Sequence, residues 1–252
     1  KSVFSILIPT WNNLSHLKLL IRSLKENSAF EHQILIHVNE GNDGTIDWLK
    51  DQEIRFNQSD ENIGICKAMN GLFEMSEWQY VVYFNDDMYA CPGWDTAMQK
   101  AIDQAKDDKF YFSASMIEPR DSGNKCVLVF DAGSSAEHFK EQDLIVHLSN
   151  LKRTDWNGAS WPPSLMHRDL WKEIGGFSEE FTPGLYSDPD ISMKLCKAGV
   201  REFRGIGDSL VYHFMQKSTG RVKLNDGKKQ FLQKWGVSAS NFNQNVRKLG
   251  TD

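Results

Sequence analysis

Residues 80–95 read YVVYFNDDMYACPGWD, and the first eight decide the fold. Tyr80 to Phe84 is an apolar run, long enough for a strand buried on both faces. It runs directly into Asn85, Asp86 and Asp87. Such residues are common where strands turn. Two adjacent carboxylates also repel one another unless a cation or donor compensates them, so the same triplet reads as a cation site.

Working outward, the first hundred residues alternate strand and helix. VFSILI (3–8) is a short buried strand ended by Pro9, and Asn13 is placed to cap a helix striped by Leu14, Leu17, Ile21 and Leu24. QILIHV (33–38), TIDWLK (45–50) and IRFNQS (54–59) read as strand, helix and strand. Ile65, Met69, Leu72 and Phe73 fall at helical spacing, and after YVVYF Pro92 suits the first position of a helix lined by Trp94, Met98, Ile102 and Ala105. This alternation predicts an α/β chain with a Rossmann-like, mainly parallel sheet and helices on both faces. Ligands of such sheets bind at the carboxyl ends of the strands. The loops there are TWNN, NEGNDG, SDENIG and NDDMY, all polar.

The second half is less regular. KFYFSASMI and KCVLVFDAG look like strands, as do REFRGI and DSLVYHF, while SLMHRDLWKEIGGF is a strand end, a short helix and a glycine stop. DPDISMKLCKAG is a helix with Asp188 as N-cap, Pro189 as first helical residue and Gly199 at its end. Asp188 also reads as a general base aimed from a helix start into the crevice. FLQKW and the tail are helical and basic-polar. No repeat, low-complexity stretch or linker divides the chain. We read one domain over residues 1–252, with a nucleotide-sugar half to about 106, an acceptor and catalytic half from about 107 to 225, and a helical segment over 226–252.

Composition narrows the function. The chain is 40% hydrophobic, which supplies a sizeable core, and its net charge of −5 lacks the basic footprint of a nucleic-acid binder. No apolar run reaches the length of a membrane span. Lys228, Lys229, Lys234, Arg247 and Lys248 leave peripheral membrane contact open. Cys66, Cys91, Cys126 and Cys196 form no CxxC and read as reduced thiols of a cytoplasmic protein, at the inner membrane face if that contact is made. GxxxxGK[ST] and GxGxxG are missing from the places that would give them meaning, and Ser160 lacks a GxSxG elbow. His213 ends a strand ahead of the basic stretch Lys217, Arg221 and Lys223, which reads either as a diphosphate clamp or as a solvated loop. Trp156, Trp161 and Tyr186 are candidates to stack on a sugar ring.

SILIPTWNN, VNEGNDGT, ENIGICKAMNGL, FNDDM, EIGGFSEEFTPGLYSDPDISMKLCKAG and VYHF, in that order, resemble the family 2 glycosyltransferases of GT-A fold over nearly the whole chain. The resemblance implies an inverting transfer from a nucleotide-diphosphate sugar, with UDP or dTDP favoured, to a hydroxyl of a glycan or glycolipid. Asp188 matches the acid of the family's "ED" motif and would be the base. Asp87 and His213 would hold Mn²⁺ or Mg²⁺. Asp86 would lie near the ribose. Pro9, Thr10, Asn12 and Glu40 would hold the nucleoside, Lys67 and Asn70 would border it, and Lys217 and Arg221 would meet the diphosphate. Asn39–Glu40, Trp11, Asn85 and Ser187 depart from the family's commoner residues. A sugar-phosphate nucleotidyltransferase and a non-catalytic sugar-nucleotide binder are the competing readings. The first would need a glycine-rich basic loop after the first strand, and the second has little use for a base.

Overall fold

The computed structural model describes residues 4–216 and 221–252. Its core is one sheet. Strands β1 (Phe4–Trp11), β2 (Gln33–Asn39), β3 (Arg55–Ser59) and β4 (Tyr80–Tyr83) run parallel, in the order β3-β2-β1-β4. The sheet continues through β9 (Ser164–His167), β6 (Phe110–Glu118), β10 (Glu202–His213) and β5 (Met88–Ala90). β9 is antiparallel to both neighbours, and β6 and β10 are parallel to each other. Short β7 (Leu128–Val129) and β8 (Trp156–Asn157) pair with β6 and β10. The result is a mainly parallel α/β sheet, as the alternation predicted.

The two-residue period of the strands builds two cores. Ile6, Ile8, Val82, Phe110 and Phe112 face α1 (Leu14–Asn27) and α4 (Trp94–Gln104). Leu7, Val81, Tyr83 and Tyr111 face α3 (Gly64–Met75), α6 (Arg168–Ile174), α7 (Ser187–Lys197) and α8 (Gly227–Trp235). Two short helices, α2 (Thr45–Asp51) and α5 (Glu141–His147), pack at the rim through Leu49 and Leu144, and a single turn, α9 (Ala239–Asn241), follows α8.

Several local expectations change. Asn13 makes no capping bond; its Oδ1 pairs with His16 Nδ1 at 2.9 Å instead. Pro92 is not the first residue of α4: the helix begins at Trp94, with Gly93 as its cap. The strand expected around KCVLVFDAG shrinks to Leu128–Val129. REFRGI and DSLVYHF merge into β10, whose pairing with β6 shifts register across Gly207, Asp208 and Ser209, between Ile206 and Leu210. Such a bulge keeps both ends of a long strand in register with β6.

One buried acid fixes the turn from α1 into β2. Asp95, fully buried at the start of α4, accepts bonds from the amides of Ala29 and Phe30 and meets His32 Nε2 at 3.1 Å. Burial pushes its carboxyl up, but these donors more than offset that and hold it below its usual value. A depressed carboxylate contributes stability above its unfolded pKa and loses it as pH falls through the folded value. Asp95→Ala should therefore cost about 3–5 kcal/mol near neutral pH. In urea unfolding, the gap between variant and wild type should shrink below about pH 4.

Candidate active site

The carboxyl ends of β1, β2 and β4 open onto a cleft of about 610 Å³. Pro9, Thr10, Asn12, Asp86, Asp87, Trp161, Asp188, His213 and Arg221 all line it. The residues that carry the sequence reading, separated by more than a hundred positions, thus share one space.

The acidic pair is compensated one residue at a time. Asp86 Oδ2 accepts from Thr10 Oγ1 at 2.7 Å, which ties β1 to the end of β4. Burial, and then the neighbouring charge of Asp87, raise the Asp86 carboxyl to about 7. Asp87 Oδ2 accepts from the Gln216 amide at 2.8 Å and lies 3.3 Å from His213 Nε2. His213 Nδ1 lies 2.8 Å from Glu118 Oε1. Burial alone would lower the imidazole pKa. The two carboxylates outweigh it and raise the ring to about 9. The antiparallel register of β10 on β5, His213 opposite Met88, places the ring beside Asp87.

Asp188 forms the opposite wall. The helix begins earlier than the sequence suggested: Tyr186, in the left-handed region at φ 67°, is the cap, and Asp188 lies inside the first turn. Its carboxylate is therefore not spent on capping, and among the described residues no donor bonds it. Burial raises it to about 7, and the charge of Arg247 opposes that rise. The loop before α7 is fastened to α3 at Gly64. The Ile65 amide bonds Pro183 O at 3.0 Å, and a Cβ on Gly64 (φ +76°) would stand 2.9 Å from Pro183 Cα. Only glycine allows that approach in that conformation.

Other expected site residues lie elsewhere. Glu40 (φ 62°) stands behind the cleft wall, its Oε2 accepting from Asn12 Nδ2 at 3.0 Å. Lys67 is exposed on α3, away from the cleft. Asn70 faces the turn after α6, pairing with both the N–H and the C=O of Phe177 at 2.9 Å. Trp156 is a correction: it is 1% exposed, donates to Ser115 Oγ at 3.0 Å and stacks on Trp161. It has no face for a ligand. Tyr186 lines a separate groove of about 430 Å³ with Pro189, Asn243 and Gln244. Lys217 lies outside the described residues. Arg221 stacks on Trp11, 4.1 Å from the ring centre, and donates to Trp11 O.

Sequence reading missed Glu118 and Gln216, named Asn39 only beside Glu40 as a departure from the family's commoner residues, and placed Arg247 only in a basic tail. Asn39 is buried and joins Thr10 O to the amide of Ile63. Glu118, the last residue of a buried strand, was the one carrying a visible signal. A charge there demands a partner.

The residues present suit a divalent cation shared with a substrate. Among the described residues no group of three His, Cys, Asp or Glu side chains could hold a metal alone. Mg²⁺-type sites, however, take one or two protein ligands and complete their shell with phosphate oxygens and water. Asp87 would supply one donor and His213 a second once a cation displaces the proton its ring carries, and Glu118 orients that ring as an outer-shell carboxylate.

The model of the family "Glycosyl transferase family 2" matches residues 5–173. The chain belongs to this family. No curated protein sequence matches it. Among solved structures, S. aureus TarS 1-349 in complex with UDP-GlcNAc is 15% identical, with a TM-score of 0.66 over 90% of this chain and 64% of that one. GalNAc-T7 with UDP, GalNAc and Mn²⁺ is 11% identical, with a TM-score of 0.67 over 96% of this chain and 50% of that one. The family 2 chain described here thus has the GT-A fold of these glycosyltransferases and spans less than two thirds of their crystallised lengths.

If Trp156 belongs to the core, Trp156→Ala should lower stability by about 3–5 kcal/mol. Chemical denaturation at fixed pH measures this, and an unchanged midpoint would return Trp156 to the list of ligand-facing aromatics.

Proposed function

We propose that this family 2 protein is an inverting glycosyltransferase that moves a sugar from a UDP- or dTDP-linked donor to a hydroxyl of a glycan or glycolipid. The reading rests on one observation above others. Asp188, half-buried and with no donor on its carboxylate among the described residues, opens into the same cleft as Asp86, Asp87 and His213.

An acceptor hydroxyl is a weak nucleophile near neutral pH, so it needs a base as its oxygen attacks. Asp188 accepts that proton. The new C–O bond forms on the face of the sugar opposite the diphosphate, and the bond from the anomeric carbon to the diphosphate oxygen breaks with its electron pair. A divalent cation, Mn²⁺ or Mg²⁺, held by Asp87 and His213 would neutralise charge on the diphosphate. Arg221, stacked on Trp11 at the cleft edge, adds a fixed cation on the same side. Thr10 and Asp86 face the nucleoside end. Trp161, half-buried at the cleft wall with an indole N–H unpartnered among the described residues, offers both a ring face and a donor to the acceptor. UDP in the TarS and GalNAc-T7 structures supports a uridine donor.

Asp188→Asn should cut acceptor-dependent UDP release by about 10²–10⁴-fold. The thermal stabilisation by UDP with Mn²⁺ should persist, because the donor end is untouched. Full turnover in that variant would refute the assignment. Glu118→Gln should weaken Mn²⁺ binding in the presence of UDP by about 10–100-fold, read by calorimetry. Undiminished affinity would mean that His213 needs no outer-shell partner.

A further inference from the structure

The last part of the described chain builds a second concavity beside the cleft. This groove, of about 430 Å³, has the start of α7 as one wall, through Tyr186 and Pro189. The other wall is α9 and the chain beyond it, through Ser240, Asn243, Gln244 and Leu249. Its place is tied to the base. Leu185 and Asp188 line the cleft, whereas Tyr186 and Pro189 line the groove. The two spaces therefore adjoin along one stretch of backbone. Two residues of chain span about 7 Å at most, so Tyr186 is no farther than that from Asp188, Cα to Cα.

Both walls are fixed. Asn225 Oδ1 accepts from the Leu185 amide at 3.1 Å, and Asn225 Nδ2 donates to Leu185 O at 2.9 Å. Gly227 packs on the same carbonyl, where a Cβ would collide with the oxygen. On the far side the Asn157 amide bonds Thr251 O at 2.8 Å, and the Gly250 amide bonds Asn157 O at 2.9 Å. Gly158, at φ +85°, lets Leu249 approach: a Cβ there would stand 2.6 Å from Leu249 Cα. A groove held from both sides is preformed, so little ordering accompanies binding.

The lining selects a ligand class. Among the described residues it carries no charged side chain, so a phosphate or carboxylate would meet no counter-charge. Pro189, Leu249 and the half-buried Tyr186 ring give apolar surface. Between them stand the Tyr186 and Ser240 hydroxyls and the Gln244 side-chain amide, none hydrogen-bonded among the described residues. Asn243 Oδ1 accepts from Arg247, which is 4% exposed and is itself held by Gly158 O at 2.7 Å. That bond orients the Asn243 amide and leaves Nδ2 as the end free to donate. Apolar surface edged by uncharged donors and acceptors matches a neutral sugar ring, which has C–H faces and a rim of hydroxyls.

We infer that this groove is a second saccharide subsite: it binds the neutral sugar unit next to the one whose hydroxyl reaches Asp188, so the acceptor is an oligosaccharide or longer glycan. The inference rests on the reading of the cleft as a glycosyl-transfer site with Asp188 as base. The acceptor crosses the start of α7, with its reacting unit in the cleft and its neighbour against Tyr186. Tyr186 thus meets a sugar ring one unit away from the chemistry.

The test is an array of neutral mono-, di- and tetrasaccharides of glucose, galactose, mannose, rhamnose and N-acetylglucosamine, probed with the whole chain in UDP and Mn²⁺. Phosphorylated glycans and phosphatidylglycerol vesicles serve as anionic controls. Wild type should bind at least one family of di- or tetrasaccharides at least about tenfold more tightly than the matching monosaccharide. Ser240→Ala/Gln244→Ala changes two exposed side chains and leaves the core intact. It should remove that preference, a loss of about tenfold from two hydrogen bonds, with monosaccharide and UDP–Mn²⁺ binding unchanged. In acceptor-dependent UDP release with the glycan so found, the double variant should raise KM and leave kcat unaltered. A preference for longer glycans that survives the double variant overturns the inference. So does equal binding of mono- and oligosaccharides by wild type, or binding confined to the anionic controls. Each of these leaves the base untouched, whereas full turnover in Asp188→Asn overturns the base while the array still reports on the groove.

Discussion

Two carboxylates placed side by side at the end of a buried strand are a debt that the rest of the fold has to meet. Asp86 and Asp87 repel each other, and neither is well hydrated. Compensation arrives from different parts of the chain: the Thr10 hydroxyl at the end of β1, and His213 with the Gln216 amide at and just beyond the end of β10. β5, which follows the pair immediately, is the edge on which β10 docks, so strand register and charge compensation are one constraint. A slip of one residue would turn His213 to the opposite face and leave Asp87 uncompensated. The acidic pair thus selects the register that builds the cleft.

The second constraint joins this half of the molecule to Asp188. α3 starts at Gly64 because the Thr182–Gly184 loop passes over its first turn too closely for a side chain. That contact sets where the loop ends and where α7 begins. Tyr186, not Asp188, then takes the strained capping position. A non-glycine residue in the left-handed region costs about 1 kcal/mol or more, and such strain persists only where the surroundings dictate it. Here its effect is to leave the Asp188 carboxylate unspent.

The parallel half was legible because its signals are local and redundant. YVVYF, QILIHV and VFSILI are apolar, the helices between them carry clean stripes, and the loops at the strand ends are polar. Asp87, Asp188 and His213 could be named from short ordered motifs, and they do converge. What could not be read depends on partners distant in sequence. SLMH looks like a strand end, but nothing in it says that it inserts antiparallel between β4 and β6. Trp156 and Trp161 look alike as neighbours of WNGASWPP, and only Ser115, more than forty positions earlier, decides which one is buried. Arg247 looked like one more charge in a basic tail. Its burial depends on Gly158 and on a backbone clamp to Asn157.

The cleft is built with two acids poised near neutrality and an arginine, Arg221, among its lining, and this division has a physical logic. Asp86 and Asp188 both sit near 7 for the same first reason, burial, but they differ in what opposes it. Asp86 has a like charge beside it, so only an arriving cation, or donors such as Thr10, can favour its ionised form. Asp188 has an opposite charge behind it, so it is ionised more readily than its burial alone would allow, before anything binds. The first carboxylate therefore answers to whatever cation or donor reaches it, and the second to a fixed feature of the fold.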